Sequence, residues 1–307
     1  MKKVHCLGVV VVDVLSGPFA RYPQLPNHLQ VISPQVRMAV GGGAANSASA
    51  LGQMGIPVSI FSKIGDDEFG KFVLSELQSR QVKTRGIAVA SGQSTPFTFV
   101  GIHPGGERSF IHTPGANLTF NRNDLDENKL LNADFLVYQD FWVLPKLDGK
   151  PAAALLEKAQ KRGVITVLDE CWGLGPDRKK LESILPFVDY FLPSFNDLAS
   201  IYKGVRPSAM VCLLKSKGIK NVVLKMGRNG CLLSTENGCA LIPSRATKIV
   251  DATGAGDAFD AGFIAGLVQG LTNMKSAIMG SRAAAACIAQ VGGSSIVPLF
   301  RSRLFRR

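Results

Sequence analysis

The chain has 307 residues, 46% of them hydrophobic and 19% charged, which is enough apolar content to bury the core of one large domain and excludes a disordered or fibrous chain. Its formal net charge is +12, but Lys and Arg cluster only at Arg178-Lys179-Lys180 and in residues 301–307, so the charge reads as a solvated basic face that gathers anions, with no nucleic acid expected. The six cysteines form no CxxC pair and the four histidines no HExxH, which removes support for a zinc site or a disulfide framework and points to a reducing, cytoplasmic setting; no apolar run is long enough to span a membrane.

Met1-Lys2-Lys3 followed by the apolar residues 7–12 imitates a signal peptide, but Asp13 interrupts a stretch too short for that purpose, and we read it as the first buried strand. Residues 14–40 are rich in Pro, Gln and Val without helical period. Gly41-Gly42-Gly43-Ala44-Ala45-Asn46 then opens a short helix. Residues 58–64 predict a strand, and Asp66 and Asp67 begin a helix carrying Phe69, Phe72, Val73 and Leu77 on one side. Residues 87–90, 97–103 and 108–113 read as short strands, the last two joined by a turn at Pro104-Gly105-Gly106-Glu107; with 14–40 they predict a small β-sheet appended to the main body.

Strands follow at 135–138, 164–168, 190–192 and 222–226, separated by a helix that Pro151 opens and Gly163 closes and by another around Met210 and Leu214. Asn237-Gly238 between two apolar runs predicts a hairpin. The alternation predicts an α/β fold with a mostly parallel central sheet flanked by helices.

The run Val250-Asp251-Ala252-Thr253-Gly254-Ala255-Gly256-Asp257 precedes a helix whose apolar residues Phe259, Phe263, Ile264, Leu267 and Val268 recur at helical spacing. The amides of Ala255, Gly256 and Asp257 are then unpaired donors at a helix N-terminus, an end that attracts anions. Gly254 and Gly256 let a phosphate approach the backbone, and Asp257 can take a proton from an attacking hydroxyl; the plainer reading is a strand-to-helix turn with a dipole-favouring carboxylate. In the upstream motif, Gly42 and Gly43 can lie against a sugar ring and Asn46 can both donate to and accept from hydroxyls, against the alternative of a glycine turn with a cap. Asp13, after the first strand, reads by itself as a turn residue. Neither GxxxxGK[ST] nor a GxGxxG after a strand is present, which argues against P-loop and dinucleotide folds.

Asp251 to Asp257 is similar to the second signature of the PfkB (ribokinase-like) carbohydrate kinase family, with Ala252 in place of a threonine, and Gly41 to Ala48 with Lys63-Ile64-Gly65-Asp66-Asp67 resembles the first. The resemblance runs over residues 4–298. It implies a ribokinase-like domain over 1–307, with lid segments at 14–40 and 86–113 through which two copies pair as a homodimer. It also implies ATP and Mg2+ as cofactors and transfer of the γ-phosphoryl group to a hydroxyl of a small sugar or sugar acid. Asp257 would be the base, with Gly254, Ala255 and Gly256 forming the anion hole. Asp13, Gly42, Gly43, Asn46 and Arg108 would meet the sugar, with Asn117 and Asp140 as further candidates that also read as structural residues.

For the nucleotide, Lys225, Gly227 and Gly230 resemble the family's strand-and-glycine segment. Ser194 and Asp197 stand where the family has its Asn-x-x-Glu element, Asp197 acting on magnesium indirectly; the departure at both positions bears on the magnesium arrangement. Asp251, Thr253 and Gly293 match positions where relatives hold a monovalent cation such as K+. The alternatives are a nucleoside kinase of the same family and a non-catalytic sugar-sensing homologue.

Overall fold

The computed structural model describes residues 1–17, 36–103, 108–171, 175–246, 249–250 and 252–289. The chain begins with β1 (Val4–Leu7), β2 (Val11–Ser16), β3 (Val36–Gly41) and α1 (Gly43–Gln53), followed by β4 (Val58–Gly65), α2 (Glu68–Ser79), β5 (Val82–Ala90), β6 (Phe97–Ile102) and β7 (Arg108–Thr113). Its middle holds α3 (Glu127–Leu130), β8 (Phe135–Phe141), α4 (Lys150–Lys161), β9 (Ile165–Glu170), α5 (Arg178–Ile184), β10 (Tyr190–Phe191), α6 (Phe195–Ile201) and α7 (Pro207–Ser216). It continues with β11 (Asn221–Lys225), β12 (Cys231–Thr235), β13 (Gly238–Ile242), α8 (Ala255–Val268) and α9 (Asn273–Ile288).

The large sheet has the order β13-β12-β11-β10-β9-β8-β1-β4-β5 and is parallel except that β12 runs against both neighbours. From β1 the chain first builds outward through β4 and β5, then returns to lay β8 on the other side of β1. That reversal leaves a crevice at the carboxyl ends of the strands, the usual ligand position in such sheets. Two apolar clusters cover the two faces. One packs α1, α2, α8 and α9 around residues such as Leu51, Leu77 and Phe263; the other packs α4, α5 and α7 around Leu155, Ile184 and Met210.

A second, four-stranded sheet of order β3-β2-β6-β7 stands apart. The apolar residues 7–12 therefore do not form one strand. Leu7 ends β1 in the large sheet, Val11 begins β2 in the small one, and Gly8 to Val10 carry the chain between them. Gly8 has no room for a side chain, because a Cβ there would lie 2.7 Å from the Gln139 carbonyl. Residues 87–90, expected in the small sheet, extend β5 instead and pair with β4 as far as Ala90. The hairpin forms with Glu236 and Asn237 as its loop, and Gly238, at φ 112°, starts the returning strand. Residues 18–35, the turn 104–107 and the basic residues 301–307 lie outside the described residues.

Candidate active site

The helices α1 and α8 both start in the crevice. Glycine at Gly42 (φ 90°) and Gly254 (φ 72°) permits the sharp entry into each. Their first turns are bonded to one another: Asn46 Nδ2 donates to Asp257 Oδ2 at 2.8 Å, and Ser47 Oγ donates to the Asp257 carbonyl at 3.0 Å. Gln139 Nε2 at the end of β8 donates to Ser47 Oγ at 2.8 Å and holds that hydroxyl in line. Two motifs some two hundred residues apart thus meet at one carboxylate. Burial pushes the Asp257 carboxyl above its usual range and the nearby Asp169 charge adds to this, while the Asn46 bond and the Lys225 ammonium oppose it.

The three glycines of the first motif make room mainly for protein groups. A Cβ on Gly41 would overlap the Asp13 carboxylate, one on Gly42 the Val9 carbonyl, and one on Gly43 would lie 2.7 Å from Asp140 Oδ1. Asp13 lies within β2, paired with Ala39 on β3 and Thr98 on β6. Burial raises its pKa to about 6, against the hydrogen bond from Thr98 and the charge of Arg108. Arg108, at the start of β7, donates to the Thr253 hydroxyl just ahead of α8, tying the small sheet to that turn.

The crevice continues under α8 as a cluster of charges. Lys225 ends β11 buried, with its ammonium 3.0 Å from Asp169 Oδ1 and 3.1 Å from Asp260 Oδ1. Burial lowers its pKa, but the carboxylates of Asp169, Asp260 and Glu170 together outweigh that and raise it, so it stays charged. Its Nζ lies 3.5 Å from where a Gly256 Cβ would be, directly beneath the turn. Glu170, at the end of β9, accepts from the Ser194 amide at 3.1 Å. Burial, then the Asp169 charge, drives its carboxyl well up. Asp197, in the first turn of α6, is raised by the same two causes, opposed by Lys225 and by the Ser194 hydroxyl.

Asp257, Gly254, Ala255, Gly256, Asn46, Gly43, Asp13 and Arg108 are thus gathered around one crevice, with Ser194, Asp197 and Lys225 in the charge cluster that continues it. Gly230, at φ 81°, serves the fold: a Cβ there would overlap the Ile242 carbonyl, whereas Gly227 faces open space. Asn117 is fully buried in a short turn against β4. Asp251 and Gly293 lie outside the described residues, leaving Thr253 as the described member of the expected cation set. Sequence reasoning passed over Asp169, Glu170 and Asp260. The signal for the first two was a carboxylate pair immediately after the predicted strand 164–168; Asp260 lies one turn beyond Asp257 on the same helix.

A model described as pfkB family carbohydrate kinase matches residues 1–299. The ribokinase of Staphylococcus aureus is 27% identical over 307 residues, 97% of each chain. The bifunctional ribokinase/ribose-5-phosphate isomerase A of Fructilactobacillus sanfranciscensis is 26% identical over 305 residues, 96% of this chain; the present chain spans 54% of that protein's length. Among solved structures, the ribokinase of Arabidopsis thaliana complexed with ribose and ATP superposes with a TM-score of 0.83 at 22% identity, over 97% of this chain and 96% of that one.

Proposed function

The chain belongs to the pfkB family of carbohydrate kinases, phosphotransferases acting on sugar hydroxyls, and we propose that it transfers the γ-phosphoryl group of ATP to a hydroxyl of a small sugar or sugar acid. The observation that carries the reading is the meeting of Asn46 with Asp257 at the open first turn of α8. In the proposed step the acceptor oxygen bonds to the γ-phosphorus as the bond to the β,γ-bridging oxygen breaks, and Asp257 takes the hydroxyl proton. A carboxyl raised toward neutrality suits a general base. The amides of Gly254, Gly256 and Asp257 receive the charge on the transferring group, with the Lys225 ammonium beneath them, whereas the Ala255 amide, expected to be unpaired, donates to the Ala252 carbonyl at 3.3 Å. Asp13 and Asn46 orient the acceptor, beside Gly42, Gly43 and Arg108. The small sheet closes over it to exclude water, with Arg108 as its tie to Thr253.

Magnesium fits this site as an ion held mainly by ATP. Among the described residues no three side chains form a cage, yet Glu170 Oε2 is a buried oxygen without a hydrogen-bond partner, and Asp197 stands beside it in the charge cluster. Mg2+ commonly takes one or two carboxylates and completes its shell with phosphates and water. Glu170 and, through water, Asp197 would hold it, and the ion would neutralise charge on the β- and γ-phosphates. The nucleotide itself would lie along Ser194, Lys225 and Gly227.

We extend the reading to a homodimer through the small sheet, since its two outer strands expose Val36 and Met38 on β3 and Phe110 and Ile111 on β7. Sedimentation of the wild type against Phe110→Lys tests this; a monomeric wild type removes it. For the reaction, ADP release is measured with a panel of sugars, sugar acids, sugar phosphates and nucleosides. Robust turnover of a sugar supports the kinase reading. Preference for a nucleoside shifts it to that branch, and silence toward every acceptor sinks it.

A further inference from the structure

Asp140 stands at the carboxyl end of β8 with φ 61°, a left-handed conformation uncommon for a non-glycine residue, though Asp adopts it more readily than most. Its carboxylate accepts three backbone N–H groups from two segments: Val9 at 3.0 Å, Gly43 at 2.9 Å and Ala44 at 3.1 Å. Gly43 and Ala44 open α1, so the carboxylate fills the end of that helix where two orphan donors would otherwise face the crevice. The socket is shaped for it. A Cβ on Gly43 would lie 2.7 Å from Oδ1, so Gly43 admits the carboxylate only because it lacks a side chain, and one on Gly8 would press on Oδ2 at 3.1 Å. The next residues of the same turn are Asn46 and Ser47, which hold Asp257. Gln139, adjacent to Asp140, grips Ser47 from the same strand end.

From this geometry we infer that Asp140 is the positioning residue of the acceptor pocket: it pins the first turn of α1 and the Val9 crossing to the end of β8, and so sets where Asn46 and Asp257 meet the acceptor. It acts through Gly43, Ala44 and Val9, without touching the reacting atoms. The inference deepens the kinase reading and rests on it for the meaning of the pocket, but the pinning of α1 can be read separately.

The experiment compares wild type, Asp140→Asn and Asp140→Ala. Steady-state kinetics with D-ribose and D-fructose should show the acceptor KM rising roughly 10- to 100-fold in Asp140→Ala and less in Asp140→Asn, whose amide oxygen keeps part of the acceptor role. The KM for ATP should stay within about twofold, since the nucleotide side is built from β9, β10 and β11. Hydrogen exchange by mass spectrometry should show the amides of residues 43–47 exchanging roughly tenfold faster or more in Asp140→Ala, with β11 and β12 unchanged. A variant that loses stability while both KM values move together, or whose residues 43–47 keep wild-type protection, overturns the inference. A wild type that releases no ADP with any acceptor would count against the kinase reading alone, and exchange at 43–47 would then decide this one.

Discussion

Two helices enter the same crevice through glycine turns, and their ends are finished in opposite ways. At α1 the protein supplies its own anion: Asp140 takes the amides of Gly43 and Ala44. At α8, among the described residues, no side chain accepts from the amides of Gly256 and Asp257, while the Ala255 amide donates to the Ala252 carbonyl. The sequence pattern of glycines and small residues is nearly the same at both. What separates them is a carboxylate delivered from a distant strand. A filled end is a scaffold that can hold Asn46 in place, and an unfilled one keeps its dipole for a ligand. The same contrast extends to the neighbouring cations and anions. Beneath α8 lies the Lys225 ammonium, paired with Asp169 and Asp260, whereas among the described residues no ammonium is paired with the Asp140 carboxylate at α1.

The comparison breaks most visibly at Asp257. If the α8 end is where transfer occurs, Asp257→Asn should cut kcat by roughly 10² to 10⁴ while leaving the fold and most ATP affinity intact, because the amide keeps its size but accepts no proton. Rapid-quench measurement of ADP formation tests this, and a wild-type rate removes Asp257 from the role of base.

The two glycines give a matched pair. Gly43→Ala drives a Cβ to 2.7 Å from Asp140 Oδ1, so it should cost about 1–3 kcal/mol of stability by chemical denaturation and weaken the acceptor. Gly256→Ala meets only Lys225 Nζ, at an ordinary 3.5 Å, and should alter stability by less than about 0.5 kcal/mol while lowering turnover roughly tenfold by crowding the phosphoryl path. Equal stability losses in the two variants would show that the α1 end is no more tightly filled than the α8 end.

A smaller, pH-dependent effect sharpens the acceptor side. The Asp13 pKa is raised to about 6 by burial. Its share of stability is therefore complete below the unfolded carboxyl range and lost as pH rises through about 6, an effect of up to about 3 kcal/mol. Acceptor binding should run the other way, weakening as pH falls below about 6, because only the carboxylate accepts from two hydroxyls. Denaturation and acceptor KM, each followed across that range in wild type and Asp13→Asn, should show a steeper loss of stability in the former and the acceptor-KM slope only there. Asp140, with a pKa raised to about 7, adds to the stability slope in both proteins and cancels in the difference.

Much of this molecule could be read from local pattern. The alternation of apolar runs with amphipathic segments, the helix punctuation at Pro151 and Gly163, and the two glycine turns each depend on residues within a few positions of one another, so period and backbone freedom are enough to reveal them. The sequence by itself also placed Asp257 in a first helical turn. It could not show that the apolar stretch 7–12 divides between two sheets, because alternation and burial look alike on either side of Gly8. Nor could it show what the glycines at 41 to 43 accommodate, since Asp140 lies 97 residues beyond Gly43 and reaches it only once β8 has been laid beside β1. The pairing of Lys225 with Asp169 and Asp260 has the same origin: three strand and helix ends converge on one buried point, where the cost of isolating each charge is met only by the others.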